Sequence, residues 1–272
     1  MKRLSWLLLP AVILAFAACG DDQKKDSAKE PVLKEENIVY TGDSASMNGF
    51  VVYDETKEGA RPVVLVVPEW WGSNDYTKMR ARELAKLGYL AIAVDIYGDG
   101  KQADNPDSAG AFASVYYQHP EKAKARIEAA IAKMKTYAQA DTNNIAAVGY
   151  CFGGGILLNT VRLGSSLKGV VSFHGSLVGT PAVKELLKSK ILVCHGAADP
   201  FVPSEQVTTF RKQMDSIGAD YIFKEYADAT HAFTNPNATA MGEKFKLPIK
   251  YNAAADSASW KDMKEFFIKL FQ

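Results

Sequence analysis

Cysteine is scarce: three among 272 residues. So few thiols cannot build a disulfide framework, and their odd number leaves at least one unpaired within the chain, so each needs its own explanation. An excess of one charge is missing too, because 32 Lys and Arg face 31 Asp and Glu. Without a basic patch there is no electrostatic reason to invoke nucleic acid, and a small-molecule function fits better. No internal repeat is visible, and after Asn37 no linker marks a second domain. What the chain has in quantity is apolar surface. A composition 47% hydrophobic and 23% charged excludes disordered, collagen-like and coiled-coil classes and supplies enough material for a large core.

The apolar run Leu4 to Ala18 follows Lys2 and Arg3. It is too short and too one-sidedly flanked for an ordinary membrane span and reads as an export signal. Its end, Phe16-Ala17-Ala18-Cys19-Gly20, resembles the bacterial lipoprotein signal. The resemblance implies removal of residues 1–18, lipidation of Cys19, and a domain anchored in the cell envelope outside the cytoplasm. Plain secretion with an incidental cysteine is the alternative. Residues 19–36 are charged, with few apolar side chains, so they are expected to form a flexible tether ahead of a domain at 37–272. Loss of Lys2 and Arg3 leaves that mature chain near neutrality, so a lipid, not charge, must hold it to the membrane.

Asn37–Tyr40 and Phe50–Tyr53 are β-branched or aromatic stretches around Asn48-Gly49, which predicts an antiparallel pair at a sheet edge. The pattern then changes. Val63–Val67 lies between prolines as a continuous apolar run, followed by similar runs at Tyr89–Val94, Ile145–Val148, Gly169–Phe173, Ile191–Cys194 and Tyr221–Tyr226. Such runs suit strands buried on both faces of a mainly parallel sheet. Between them Ile127, Ala130, Ile131 and Met134 fall on one helical face, as do Val207, Phe210, Met214 and Ile217, and Trp260, Met263, Phe267 and Leu270. Strands alternating with cover helices predict a doubly wound α/β domain, with helices on both faces of the sheet.

The run Ile145–Val148 leads directly into Gly149-Tyr150-Cys151-Phe152-Gly153-Gly154 and then a helix-compatible stretch. A G-x-C-x-G sequence between strand and helix is the pattern of a nucleophile elbow, in which a sharp turn raises one side chain above the sheet and glycines admit the close backbone approach. The helix N-terminus that follows favours a thiolate. A nucleophile of this kind needs an acid and then a histidine later in the chain, the order found in α/β-hydrolases. Of the four histidines, only His231 follows Asp199, which sits in the loop leaving the Ile191–His195 run, at the carboxyl edge where such sheets carry their sites. Asp228 is close enough to His231 to be a local turn residue instead. Cys194 and His195 are neighbours on one strand and point to opposite faces, so they cannot easily share a metal, and no metal site is expected. Cys194 reads as core, and His174, at the end of the Gly169–Phe173 strand, is a candidate pocket residue.

With Cys151, Asp199 and His231 in hand, the chain from about Gly49 to Leu270 resembles the dienelactone hydrolase family, α/β-hydrolases with a cysteine nucleophile. The resemblance rests on Pro68-Glu69-Trp70-Trp71-Gly72, Asp95-Ile96-Tyr97-Gly98, the Gly149–Gly154 elbow, His195-Gly196-Ala197-Ala198-Asp199 and Thr230-His231-Ala232-Phe233. It implies that Glu69 takes part in the proton exchange of Cys151, and that the backbone N–H groups of Trp70 and Phe152 form an oxyanion hole. Trp71 and Phe233, with Trp70, become expected pocket walls. It also implies hydrolysis of a carboxylic ester or lactone without cofactor or metal; thioester transfer, peptide cleavage or a binding role on the same fold remain alternatives. Members that cleave dienelactones hold the substrate carboxylate with arginines, but Tyr97-Gly98-Asp99-Gly100 and His231-Ala232-Phe233-Thr234-Asn235 contain none.

Overall fold

The computed structural model describes residue 1 and residues 30–272; the apolar run Leu4 to Ala18 expected to be a signal, the Cys19 expected to be lipidated, and most of the expected tether lie outside the described residues. From Pro31 onward the chain is one compact unit. Its strands are β1 (Leu33–Gly42), β2 (Ala45–Asp54), β3 (Arg61–Val67), β4 (Leu90–Ala93), β5 (Ala140–Tyr150), β6 (Gly169–Phe173), β7 (Lys190–Gly196) and β8 (Tyr221–Tyr226). They form one sheet in the order β1-β2-β4-β3-β5-β6-β7-β8. Pairing is antiparallel from β1 to β2 and from β2 to β4, and parallel across the rest.

Alternation along the buried strands divides the apolar residues into two cores. Val63, Leu65 and Val67 of β3 join one core, with Ile127 and Met134 of α3 (Pro120–Met134) and Ile156 and Leu157 of α4 (Phe152–Arg162). Val64 and Val66 join the other, with Leu84 of α1 (Asp75–Lys86) and Phe267 of α7 (Ala253–Leu270). That is the doubly wound α/β-hydrolase arrangement, and it accounts for runs that are apolar at every position. The remaining helices are α2 (Pro106–Gln118), α5 (Ser204–Ser216) and α6 (Ala238–Phe245). Side chains of Asn74, Asn105 and Asn252 cap α1, α2 and α7, each supplying an acceptor to an otherwise orphan N–H.

Two expectations at the edge need correction. Strand β1 begins at Leu33, so Leu33–Glu36 belongs to the sheet and not to a tether. Its charges are compatible with a strand because the edge is solvated, and they find partners: Tyr53 and Tyr137 donate to Glu36, and Arg82 donates to Glu35. The hairpin turn is Asp43-Ser44, both at positive φ (49° and 59°), the geometry of a tight hairpin. Asn48-Gly49 instead lies within β2, where a Cβ at Gly49 would press on Tyr40 at 3.1 Å.

Candidate active site

At the carboxyl edge of the sheet β5 turns sharply into α4. Cys151 sits on that turn at φ 52°, ψ −115°, a backbone conformation that an L residue adopts only where its surroundings enforce it. The enforcement is steric and hydrogen-bonded. A Cβ on Gly149 would meet the Gly153 carbonyl oxygen at 2.3 Å, and one on Gly153 would meet the Val67 carbonyl oxygen at 2.4 Å. Gly153 N–H donates to Pro68 O at 3.0 Å, tying the elbow to the loop after β3.

The three residues of the expected order meet here. His231 Nε2 lies 3.0 Å from Cys151 Sγ, and His231 Nδ1 lies 2.8 Å from Asp199 Oδ2. The other Asp199 oxygen accepts from Phe201 N–H at 2.8 Å, which fixes the carboxylate. Burial opposes a charge on the His231 ring. The adjacent Cys151 sulfur and the Asp199 hydrogen bond outweigh it and raise the imidazole to about 10. The 2.8 Å and 3.0 Å contacts to Asp199 and Cys151 thus hold a proton on His231 at neutral pH.

Glu69 is buried, and burial pushes its carboxyl up to about 7, against the pull of a 2.7 Å hydrogen bond donated by Asn235 and of the charges on His231 and Arg80. It lines the same cleft as Cys151. Neither the Trp70 nor the Phe152 backbone N–H has an acceptor among the described residues, and the Trp70 carbonyl is held by Tyr97 Oη at 2.9 Å. Both N–H groups are thus free to serve a ligand beside the elbow.

The cleft holds about 270 Å³ and is walled by Trp70, Trp71, Tyr117, Phe201, Leu247 and Ile249, with Cys151, Glu69 and His231 at its floor. No Lys or Arg is among its lining residues. Asp99 and Lys101 are exposed and paired with each other at 3.1 Å, away from the lining. Among the described residues no three His, Cys, Asp or Glu side chains converge to hold a metal ion.

Two expected pocket residues lie behind the site instead. Phe233 is fully buried and packs edge-on against His174 and on Tyr226, because two positions beyond His231 the chain has turned into the core. His174 is buried as well; its Nδ1 accepts from Cys151 N–H at 3.0 Å, so it supports the elbow from beneath. Cys194 is core, with its thiol pushed up to about 12 by burial. Sequence reasoning missed Phe201, Leu247 and Ile249, whose loops carry no motif, and Thr234 and Asn235, whose position directly after Thr230–Phe233 was the available signal.

The model of the dienelactone hydrolase family matches residues 47–271. The chain belongs to the dienelactone hydrolase family. A dienelactone hydrolase-like promiscuous phosphotriesterase from metagenomic libraries is 33% identical, with a TM-score of 0.81 over 88% of this chain and 98% of its own. A Salmonella typhimurium protein provisionally named a carboxymethylenebutenolidase is 26% identical over 231 residues, 81% of this chain and 82% of its own. A dienelactone hydrolase-like structure from Klebsiella pneumoniae, 22% identical with a TM-score of 0.75 over 87% of this chain and 99% of its own, shares the fold. The protein is accordingly a hydrolase of the dienelactone hydrolase family.

Proposed function

We propose that this dienelactone hydrolase family member cleaves neutral carboxylic esters or lactones through Cys151. The observation that carries the reading is the continuous contact from Asp199 through His231 to the Cys151 sulfur at the floor of an apolar cleft. The sulfur attacks the carbonyl carbon, and the carbonyl oxygen becomes an oxyanion received by the Trp70 and Phe152 N–H groups. As the tetrahedral intermediate collapses, His231 gives its proton to the leaving alkoxide and an acyl thioester remains on Cys151. Water then attacks the thioester, His231 takes its proton, and the acid leaves with the thiolate restored. No cofactor or metal enters this sequence.

Preference for a neutral substrate follows from the lining. A carboxylate carried into a dry cleft needs a cationic partner, usually an arginine, and the lining offers none. The test is a panel of esters and lactones, acidic and neutral members matched in shape, with neutral phosphotriesters added because of the relative that hydrolyses them. We expect kcat/KM to favour the neutral carboxylic member of each pair and Cys151→Ala to abolish turnover. A preference for the acids would overturn the substrate reading.

The same reading includes a lipid anchor on Cys19, supported by Phe16-Ala17-Ala18-Cys19 after an apolar run. Several acyl chains at one cysteine hold a protein firmly where a single chain does not. Cys19→Ser is expected to release the protein from membranes, and an unmodified Cys19 in the mass spectrum of the mature N-terminus would refute the anchor.

A further inference from the structure

Beneath the elbow runs a chain of buried hydrogen bonds that the steps above do not use. Arg80 Nε donates to Tyr76 Oη at 3.3 Å. Tyr76 Oη and Thr234 Oγ1 are 2.7 Å apart, and Thr234 Oγ1 is 2.7 Å from His174 Nε2. At the other end of the ring, Cys151 N–H is shared between His174 Nδ1 and the Phe173 carbonyl, each at 3.0 Å. All four side chains are buried, His174 and Thr234 almost completely, so none can exchange its partner for water without cost.

The directions at the two ends are fixed, while between Tyr76 and Thr234 either hydroxyl can donate. A backbone N–H can only donate, so His174 Nδ1 accepts, the ring proton resides on Nε2, and Nε2–H donates to Thr234 Oγ1. A guanidinium can only donate, so the Tyr76 oxygen accepts from Arg80. Arg80 is itself immobilised: Nη2 donates to Thr234 O and to Asp256, both at 2.6 Å, and Nη1 donates to Glu83 at 2.9 Å. A doubly protonated His174 would turn an N–H toward the Cys151 N–H and break the chain. It would also set a second cation beside the His231 ring, whose centroid is 5.4 Å away. Burial, the charge on His231 and the charge on Arg80 all hold His174 well below the usual imidazole range.

We propose that His174 is a positioning residue for Cys151, held in a single tautomer by Thr234, Tyr76 and Arg80, and that this relay sets the placement of the sulfur against His231. The backbone gives the reason one is needed. Cys151 and His174 both stand at positive φ, 52° and 41°, conformations that an L residue keeps only where neighbours over-determine them. The inference rests on the reading of Cys151 as nucleophile.

The test uses the full chain and four variants. His174→Asn places an amide oxygen where Nδ1 stands but cannot reach Thr234; His174→Phe keeps a ring without an acceptor. Thr234→Val and Thr234→Ser remove or retain the hydroxyl one step further from the sulfur. Two quantities are read: the rate at which iodoacetamide labels the Cys151 peptide at about pH 6 and about pH 9, and kcat and KM on an ester the wild type hydrolyses. Misplacing a reacting group by about 1 Å costs roughly 10²-fold. His174→Phe should therefore lose about 10²-fold in kcat with KM little changed, and labelling should fall more at the lower pH, where reactivity depends on the His231 contact. His174→Asn should recover much of the loss, and Thr234→Ser should exceed Thr234→Val by roughly tenfold in kcat on the same argument.

If folded His174→Phe and Thr234→Val keep wild-type labelling and kcat, the relay is packing and the proposal falls. It falls equally if His174→Asn is no better than His174→Phe. If His174→Phe does not fold, the Thr234 pair decides, and equal behaviour of Val and Ser overturns the relay. A wild type that hydrolyses no ester but labels with this pattern sinks the ester reading and leaves the relay standing.

Discussion

The floor and the rim of the cleft are constrained to very different degrees. At the floor, Cys151 is fixed by backbone contacts that leave no room for a methyl group at Gly149 or Gly153, and Glu69 and His231 are held by hydrogen bonds to Asn235 and Asp199. At the rim, Phe201 is 47% exposed and Tyr117 49%, and Leu247 and Ile249 come from a loop remote in sequence from the elbow. Tight packing transmits any change directly, whereas exposed loop residues can be exchanged at little cost. The chemistry is thereby insulated from the choice of substrate.

The largest break in that contrast comes from Cys151→Ala. Turnover should fall by about 10⁴–10⁶-fold, the scale for loss of a nucleophile, with thermal stability close to wild type. Gly153→Ala attacks the floor through its backbone: the added methyl meets Val67 O, and about 3 kcal/mol or more of stability should be lost in denaturant titration.

Glu69→Gln tests the floor's electrostatics. A carboxyl at about 7 in the fold and near 4.5 unfolded binds its proton more tightly when folded, so it costs nothing below the lower value. The penalty grows as pH rises between them and levels off above about 7. Glutamine removes the ionisation. The variant should match wild type at low pH and be more stable by about 3 kcal/mol above pH 8, as read from melting curves across pH. A pH-independent difference would contradict the buried, proton-binding Glu69.

At the small end, Phe201→Ala at the rim should leave stability within about 1 kcal/mol, since the side chain is half exposed. It should shift KM a few-fold and kcat less, because it removes ground-state packing and part of the wall beside His231, which Phe201 meets edge-on at 5.1 Å. If Phe201→Ala cost as much in kcat as the floor substitutions, the separation of floor from rim would be wrong.

This contrast also governs what the sequence made legible. The floor was readable because Gly149–Gly154, Asp199 and His231 are motif residues whose steric and chemical demands appear in consecutive positions. Strands β3 to β7 were readable because burial on both faces leaves continuous apolar runs; β8, expected to be buried likewise, is the other edge of the sheet, with Lys224 and Glu225 exposed and only Tyr226 buried. The rim was not: Leu247 and Ile249 reach the cleft only through tertiary placement of an ordinary loop. Phe233 and His174 were assigned to the pocket because proximity in sequence to the site does not say which way a side chain turns. At the β1 edge, Lys34, Glu35 and Glu36 read as tether because charge suits disorder and a solvated edge strand equally well; only pairing with Tyr53, Tyr137 and Arg82 distinguishes them. The insertion of β4 between β2 and β3 depends on crossovers that no local pattern encodes.

Whether Cys151 carries the acyl group can be read by intact and peptide mass spectrometry of the enzyme quenched in acid during ester turnover. A mass increase equal to the acyl group is expected on the Cys151 peptide, abolished by Cys151→Ala and longer-lived when His231 is replaced by glutamine. Turnover with the acyl mass on another residue, or a Cys151→Ala variant that still hydrolyses the ester at the wild-type rate, would contradict it.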